Sequence, residues 1–409
     1  MFTPHIITRF KDIETPFYYY DLGFLRQTLA ACKTASDKYG FHVHYAMKAN
    51  FNPKVLEAIQ SKGFGADCVS GNEVSKAVEY GFDKSKIVFA GVGKSDKEIN
   101  IALDADIFCF NVESVQELTI INDLAKAKNK KASVAIRINP NVDAHTHHFI
   151  TTGLDENKFG INSWQLNDVA ETLRKCANLQ FVGIHFHIGS QITDLEVYKS
   201  LCIRINEMQD WFEDHGFQIK VLNTGGGLGV DYHHPDTNNI PDFEGYFKVF
   251  KDFLKVKPGQ EVHFELGRAL VAQSAALISR VLYVKMGQKK NFLVLDAGMT
   301  ELIRPMLYQA YQKIENLSRL EEVGSRKSEV GSQKLDDALS NSPLTIHHSP
   351  LKYDVVGPIC ESTDCFQKDV ELPESFRGDI FAIRTAGAYG EVMASGYNLR
   401  DKVQSVYSE

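Results

Sequence analysis

The feature that most constrains this chain is an alternation of strand-like and helix-like segments that runs to about residue 270. Strand-like runs appear at HVHYAM (42–47), FGADCVS (64–70), KIVFA (86–90), DIFCFNV (106–112), ASVAIRI (132–138), FVGIHFHI (181–188), KVLN (220–223) and EVHFEL (261–266). Amphipathic segments such as NPKVLEAIQSKG and NEVSKAVEYG lie between them, the second ending at Gly81 as helices often do. Eight strands, each followed by a helix or connection, imply parallel pairing and a (β/α)8 barrel. A doubly wound open sheet is the alternative, but it usually needs fewer strands per domain.

After residue 270 the pattern changes. ALISRVLYVKM (276–286), NFLVLDAG (291–298), YDVVGPIC (353–360) and DIFAIRTAGAYG (379–390) are β-rich with few helix patterns between them. They read as a second, mostly β domain over 271–409, following a barrel over 26–270. The aromatic run PFYYYD (16–21), within an N-terminal segment of residues 1–25, is placed to pair with that domain. Residues 316–350 are Ser-, Lys- and Glu-rich with little periodicity and read as an exposed excursion.

A length of 409 residues, 44% apolar, suits two domains with large cores. The net charge of −7 argues against a nucleic-acid surface. No run approaches a membrane span, the start MFTPHIITRFKD has no signal-peptide core, and seven cysteines without paired spacing fit a reducing compartment. The expectation is a cytoplasmic enzyme.

In a barrel, chemistry collects where the strands' carboxyl ends meet the following loops. Polar residues fall there repeatedly: Lys48 after the first strand, Asp67 and Ser70 after the second, Arg137 and Asn139 after the fifth, His187 and Ser190 after the sixth. Gly225, Gly226 and Gly227 follow the seventh strand, and Glu265, Gly267 and Arg268 close the eighth. A lysine at such a place snorkels to water in the ordinary case, but a desolvated one can form a Schiff base with a carbonyl compound. The TGGGLG run (224–229) leaves backbone N–H groups to wrap an anion, although a tight turn explains a glycine triplet equally well. It is not a dinucleotide fingerprint, because no acidic residue follows at the required distance. Arg268 can add a charged contact to the same anion. Glu265 at a buried strand end needs a cation or proton donor beside it. His187 can stack on an aromatic ligand, but a lone histidine is more often structural, and His185 shares its strand face.

In the β-rich half, GPICESTDCF (357–366) brings Cys360, Glu361 and Asp364 together. A thiol beside a carboxylate suits reversible protonation, while a buried inert cysteine is the commoner case. The HTHH run (145–148) lacks ligand spacing and is not read as a metal site.

Taken together, these segments resemble the pyridoxal phosphate (PLP)-dependent decarboxylases with the alanine-racemase-type fold, most closely the branch acting on diaminopimelate. The resemblance runs through YAMKAN, FGADCVSGNE (64–73), RINPNVDAHTHHFITTGLDENKFGI (137–161), HIGSQI (187–192), GGGLG (225–229), ELGR (265–268), DAGMTELIRPMLYQAY (296–311), GPICES (357–362) and AGAYGEVMAS (386–395). It implies that Lys48 carries the cofactor, His187 stacks on its ring and Glu265 pairs with its ring nitrogen. It places Ser190, Gly225 to Gly227, Gly267, Arg268 and Tyr389 around the phosphate or a nearby substrate carboxylate. Arg304 and Tyr308 would hold the substrate carboxylate. Cys360, as proton donor, and Glu361, reading the distal amine, would reach into the site of a partner subunit, which implies a homodimer. The implied reaction is conversion of meso-2,6-diaminopimelate to L-lysine and carbon dioxide, the last step of lysine biosynthesis. The alternatives are a sister decarboxylase of ornithine, arginine or carboxynorspermidine, a racemase of the same fold, and a non-enzymatic PLP carrier. One departure from the family pattern is Leu266, where Glu-Pro-Gly-Arg is usual; both charged groups remain, so the geometry is expected to survive.

Overall fold

The computed structural model describes residues 1–142, 158–319 and 350–408. They form two compact units: Leu25–Asp231 with Asn238–Ala272, and Met1–Phe24 with Tyr232–Thr237 and Gln273–Glu409. Residues 232–237, inside the barrel stretch by periodicity, therefore group with the second unit. The first strand, β1 (Phe17–Tyr20), belongs to that second unit.

The first unit is built on β2 (His42–Ala46), β3 (Gly65–Cys68), β4 (Ile87–Phe89), β5 (Cys109–Val112), β6 (Ala132–Arg137), β7 (Leu179–His185), β8 (Val221–Asn223) and β9 (Glu261–Leu266). They pair in sequence order and close into a barrel, β9 lying parallel to β2 with His42 opposite His263 and Tyr45 opposite Leu266. Each overlaps one of the eight runs expected from the sequence. The runs are trimmed where a polar residue has a better use outside the ladder. Ser70 caps the helix Gly71–Glu79, its hydroxyl accepting from the Glu73 N–H, and Asn52 caps Pro53–Gln60 in the same way.

The alternation of side chains along a strand divides β9 between two environments. Val262, Phe264 and Leu266 are buried on one face. The Phe264 ring meets Phe41, Tyr246, Phe247 and Phe250 at centroid separations of 4.8–5.6 Å. Three of these rings come from the helix Phe243–Phe253, so this aromatic cluster fixes the last strand to its helix, and truncating Phe264 to alanine would cost about 3–5 kcal/mol. The opposite face carries Glu261, His263 and Glu265. Elsewhere in the barrel Val88, Cys109, Ala135, Val182 and Val221 form an apolar plug.

In the second unit, β10 (Ala275–Met286), β11 (Asn291–Leu295), β12 (Ile314–Asn316), β13 (Leu351–Val356), β14 (Cys365–Leu372) and β15 (Ile380–Ile383) form a sheet in the order β12-β15-β10-β11-β13-β14. Strand β1 is antiparallel to β10, Phe17 facing Ile278, and parallel to β16 (Gln404–Tyr407), Phe17 facing Gln404. The N-terminal strand is thus part of the β domain, as its aromatic run implies. The helix Pro4–Lys11, capped by Thr3, adds Ile7 and Phe10 to a core with Phe17, Tyr19, Ile278, Leu317 and Ile380.

Residue 316, where the exposed excursion was expected to begin, is buried. Leu317 is fully buried, and the Asn316 amide donates to Ser375 Oγ at 3.0 Å and Asp379 Oδ2 at 2.9 Å. The remainder of that stretch, 320–349, lies outside the described residues, as does the HTHH run (145–148). Among the described residues, no helix is long and apolar enough to cross a membrane.

Candidate active site

Lys48 sits in a 3-10 turn, Met47–Ala49, directly after β2. The sequence suggests a desolvated amine, but the side chain is 38% exposed and its Nζ is 3.2 Å from Oδ2 of a fully buried Asp67. What holds the amine is therefore a charge rather than a dry pocket. Burial, with Glu265 nearby, pushes the Asp67 carboxyl up to about 7 against the pull of Lys48. Asp67 Oδ1 is buried without a hydrogen-bond partner.

Glu265 is the most elaborately supported group of this end of the barrel. Its Oε1 accepts from Asn111 Nδ2 at 2.9 Å and Asn223 Nδ2 at 2.8 Å. Its Oε2 meets His185 Nε2 at 2.9 Å. Burial alone would favour the acid, but His185 and Lys48 reverse that and hold the carboxyl well below its ordinary range. In the sequence Glu265 stands out alone; Asn111 and Asn223, each an amide inside an apolar strand, do not, and His185 reads only as a competitor of His187.

The two histidines have separate work. His187 lies beyond the end of β7, and its Nδ1 accepts from the Gly226 N–H at 3.3 Å. Burial, with Arg137 and Lys48 adding to it, keeps its pKa well below the usual value, so the ring is neutral at pH 7. The glycine run packs tightly: a Cβ on Gly225 would stand 2.1 Å from Phe186 O, and one on Gly226 would stand 1.9 Å from Glu265 O. Glycine is required at both positions, and their side-chain-free backbone borders Glu265 and His187. Arg268 is buried and donates to Ser190 Oγ from Nη2 at 3.0 Å and from Nε at 3.3 Å. Gly267 lets the turn before Arg268 approach the lysine turn, since a Cβ there would be 3.0 Å from Ala49 Cβ. Leu266 simply completes β9, buried opposite Tyr45. Arg137 is turned to another task, a buried ion pair with Glu113 at 2.7 Å.

In the second unit, Arg304 is buried in the helix Arg304–Tyr308, its guanidinium carbon 5.4 Å from the Tyr308 ring centroid and 5.7 Å from that of Tyr389. Tyr389 adopts a left-handed backbone, φ 55°, which for a non-glycine residue marks an imposed orientation. The thiol cluster divides. Cys360 and Glu361 are exposed, Glu361 accepting from the Tyr397 hydroxyl at 2.7 Å. Asp364 is buried and accepts from the N–H groups of Met299 and Ile359, each at 2.7 Å. It pins the loop and takes no part with Cys360.

An amine, a buried anionic carboxylate, a neutral imidazole, a bare glycine backbone and a fixed guanidinium fit the attachment, ring and phosphate of pyridoxal phosphate. Residues 25–272 match the family model of the pyridoxal-dependent decarboxylase, pyridoxal binding domain. The chain is similar to the diaminopimelate decarboxylase of Bacteroides thetaiotaomicron, at 53% identity over 97% of this chain and 96% of that protein. It is similar to that of Aquifex aeolicus at 38% identity over 98% of this chain and 88% of the relative. Among solved structures, Helicobacter pylori diaminopimelate decarboxylase complexed with L-lysine superposes with a TM-score of 0.86 at 37% identity, covering 98% of this chain and 93% of the other. The chain is an enzyme of the pyridoxal-dependent decarboxylase family, its cofactor is pyridoxal phosphate, and within that family it belongs to the diaminopimelate decarboxylases.

Proposed function

We propose that this enzyme decarboxylates meso-2,6-diaminopimelate to L-lysine, the last step of lysine biosynthesis, as a cytoplasmic homodimer with shared active sites. The observation that carries the substrate is the buried Arg304 between Tyr308 and Tyr389. Diaminopimelate bears a carboxylate at each end, and a fixed cation suits the one that must be kept. Ornithine and arginine have none to offer there.

When bound, pyridoxal phosphate supplies the sink for the electron pair left by the departing carboxylate. The protein's residues do the rest. Lys48 would be the amine that holds the cofactor, with the Asp67 carboxyl 3.2 Å from its Nζ. Glu265, kept anionic with Asn111, Asn223 and His185 beside it, would pair with the ring nitrogen. His187, neutral and braced by Gly226, presents its ring face. The backbone of Gly225, Gly226 and Gly227, the turn at Gly267, and Arg268 with Ser190 would hold the phosphate. Cys360, exposed on its own chain, returns a proton to the carbon that lost carbon dioxide in a neighbouring subunit, and Glu361 beside it receives the distal amine.

Carbon dioxide release measured over diaminopimelate, ornithine, arginine and carboxynorspermidine, with the product identified, tests the substrate. Release from ornithine but not from diaminopimelate sinks the reading. Mixing inactive Lys48→Ala and Cys360→Ala proteins tests the dimer: shared sites restore activity in the mixture because one intact site forms per mixed pair, whereas sites made within one chain restore none.

A further inference from the structure

The barrel has a second polar cluster at the amino ends of its strands, and the established chemistry uses none of it. His42 begins β2, Glu261 begins β9, and His263 lies two residues further on the same face. They edge a cavity of about 550 Å³ that also touches His44, Lys86 and Phe108.

Hydrogen bonds tie this cluster together. His44 Nδ1 is 2.9 Å from the carbonyl oxygen of Lys86. A carbonyl only accepts, so that nitrogen donates. His44 Nε2 is 2.8 Å from His263 Nδ1, and His263 Nε2 is 3.2 Å from Glu261 Oε2. The imidazole of His263 and the carboxylate of Glu261 thus converge at the edge of the cavity, where the exposed His42 adds a second imidazole.

We propose that His42, Glu261 and His263 bind one divalent transition-metal ion, for which zinc is the fitting choice, at the amino-end mouth of the barrel. One ligand atom from each residue lies within 4.8 Å of the others. Ligand bonds of about 2.0–2.2 Å place donors roughly 3.5 Å apart around a tetrahedral ion, so a small side-chain adjustment closes the site, with water as the fourth ligand. The relay from His263 through His44 to the Lys86 carbonyl is the outer support that metal-bound imidazoles characteristically have. Its construction depends on Gly65, where a Cβ would stand 2.4 Å from His44 Nδ1 and 2.3 Å from Lys86 O. Because β2 and β9 are the first and last barrel strands, the ion would clasp the seam at which the barrel closes.

The test uses the holoenzyme, treated with a chelator, freed of it, and titrated with zinc chloride by calorimetry and cobalt(II) chloride by visible absorption. His42→Ala and Glu261→Gln change exposed side chains, so both variants should fold. The expected result is one zinc site per chain in the unmodified protein, with affinity reduced at least tenfold in each variant. Zinc should also raise the thermal midpoint of the unmodified protein and not that of the variants. Equal affinity in all three proteins would put the metal on other residues and overturn the proposal. No uptake by the unmodified protein would also overturn it.

Discussion

Two glutamates on one face of β9 have opposite fates. Glu265, at the carboxyl end, is buried and saturated: two amides and an imidazole converge on it. Glu261, at the amino end, is exposed and meets one imidazole at 3.2 Å. The same side chain on the same strand is thus a fixed anion at one mouth of the barrel and a lightly held carboxylate at the other. A carboxylate's function here is set less by its own chemistry than by how many donors the neighbouring strands commit to it. Donors are committed at the end where the loops converge, which is where barrels place catalysis.

The largest break in this comparison comes from Lys48, the amine that shares the mouth with Glu265. Lys48→Ala should lower carbon dioxide release by on the order of 10⁴-fold or more, as loss of a covalent catalytic residue does. It should also abolish borohydride-stable attachment of the cofactor; retention of that attachment would reject the assignment. Glu265→Gln comes next. The isosteric amide keeps the shape but loses the charge, so kcat should fall about 10²–10³-fold with a smaller change in KM. In urea unfolding the same variant should lose about 1–3 kcal/mol, because His185 is left beside an amide in a buried site. A Glu265→Gln enzyme within tenfold of the original kcat would mean the anion is structural.

How much of this was legible in the sequence follows from what each residue's neighbours are. The eight barrel strands were readable because their apolar runs are local. Strand β14, with the sequence CFQKDVEL, and strand β16, QSVY, were not, because each is half polar and gains its identity only from a partner strand. The candidate site divides in the same way. Lys48, Glu265, Arg268 and the glycine run stood out by type and position. Asn111 and Asn223 did not, since an amide within a strand becomes meaningful only when closure aims it at Glu265. The alignment of His44 with His263 and Lys86 was hidden for the same reason, the residues being far apart in sequence and brought together only when the barrel closes.

Asp67 gives a subtler test, through pH. Its folded pKa of about 7 lies above the ordinary carboxyl value near 3.9. Between these values the folded state binds more protons than the unfolded one, so the group's contribution to stability declines as pH rises from about 4 to 7. Asp67→Asn removes that slope and also removes the partner of Lys48. In cofactor-stripped protein, the variant's stability relative to the original should therefore improve by about 1–2 kcal/mol between pH 5 and pH 8 in urea unfolding. A difference that does not change with pH would mean Asp67 is ionised throughout.

The smallest effect should come from Glu261→Gln, and it is the sharpest control for the comparison. The Glu261 side chain is 56% exposed and its neighbour His263 is 5% exposed, so solvent screens most of the attraction between them. Measured in chelator, the substitution should move the unfolding free energy by no more than about 0.5 kcal/mol. The glutamine amide can keep a hydrogen bond to His263 Nε2, and this offsets the lost charge. The same chemical change, four residues apart on one strand, is then severe at one mouth of the barrel and nearly silent at the other. A loss at Glu261 as large as that at Glu265 would show that the donors committed by neighbouring strands are not what separates the two carboxylates.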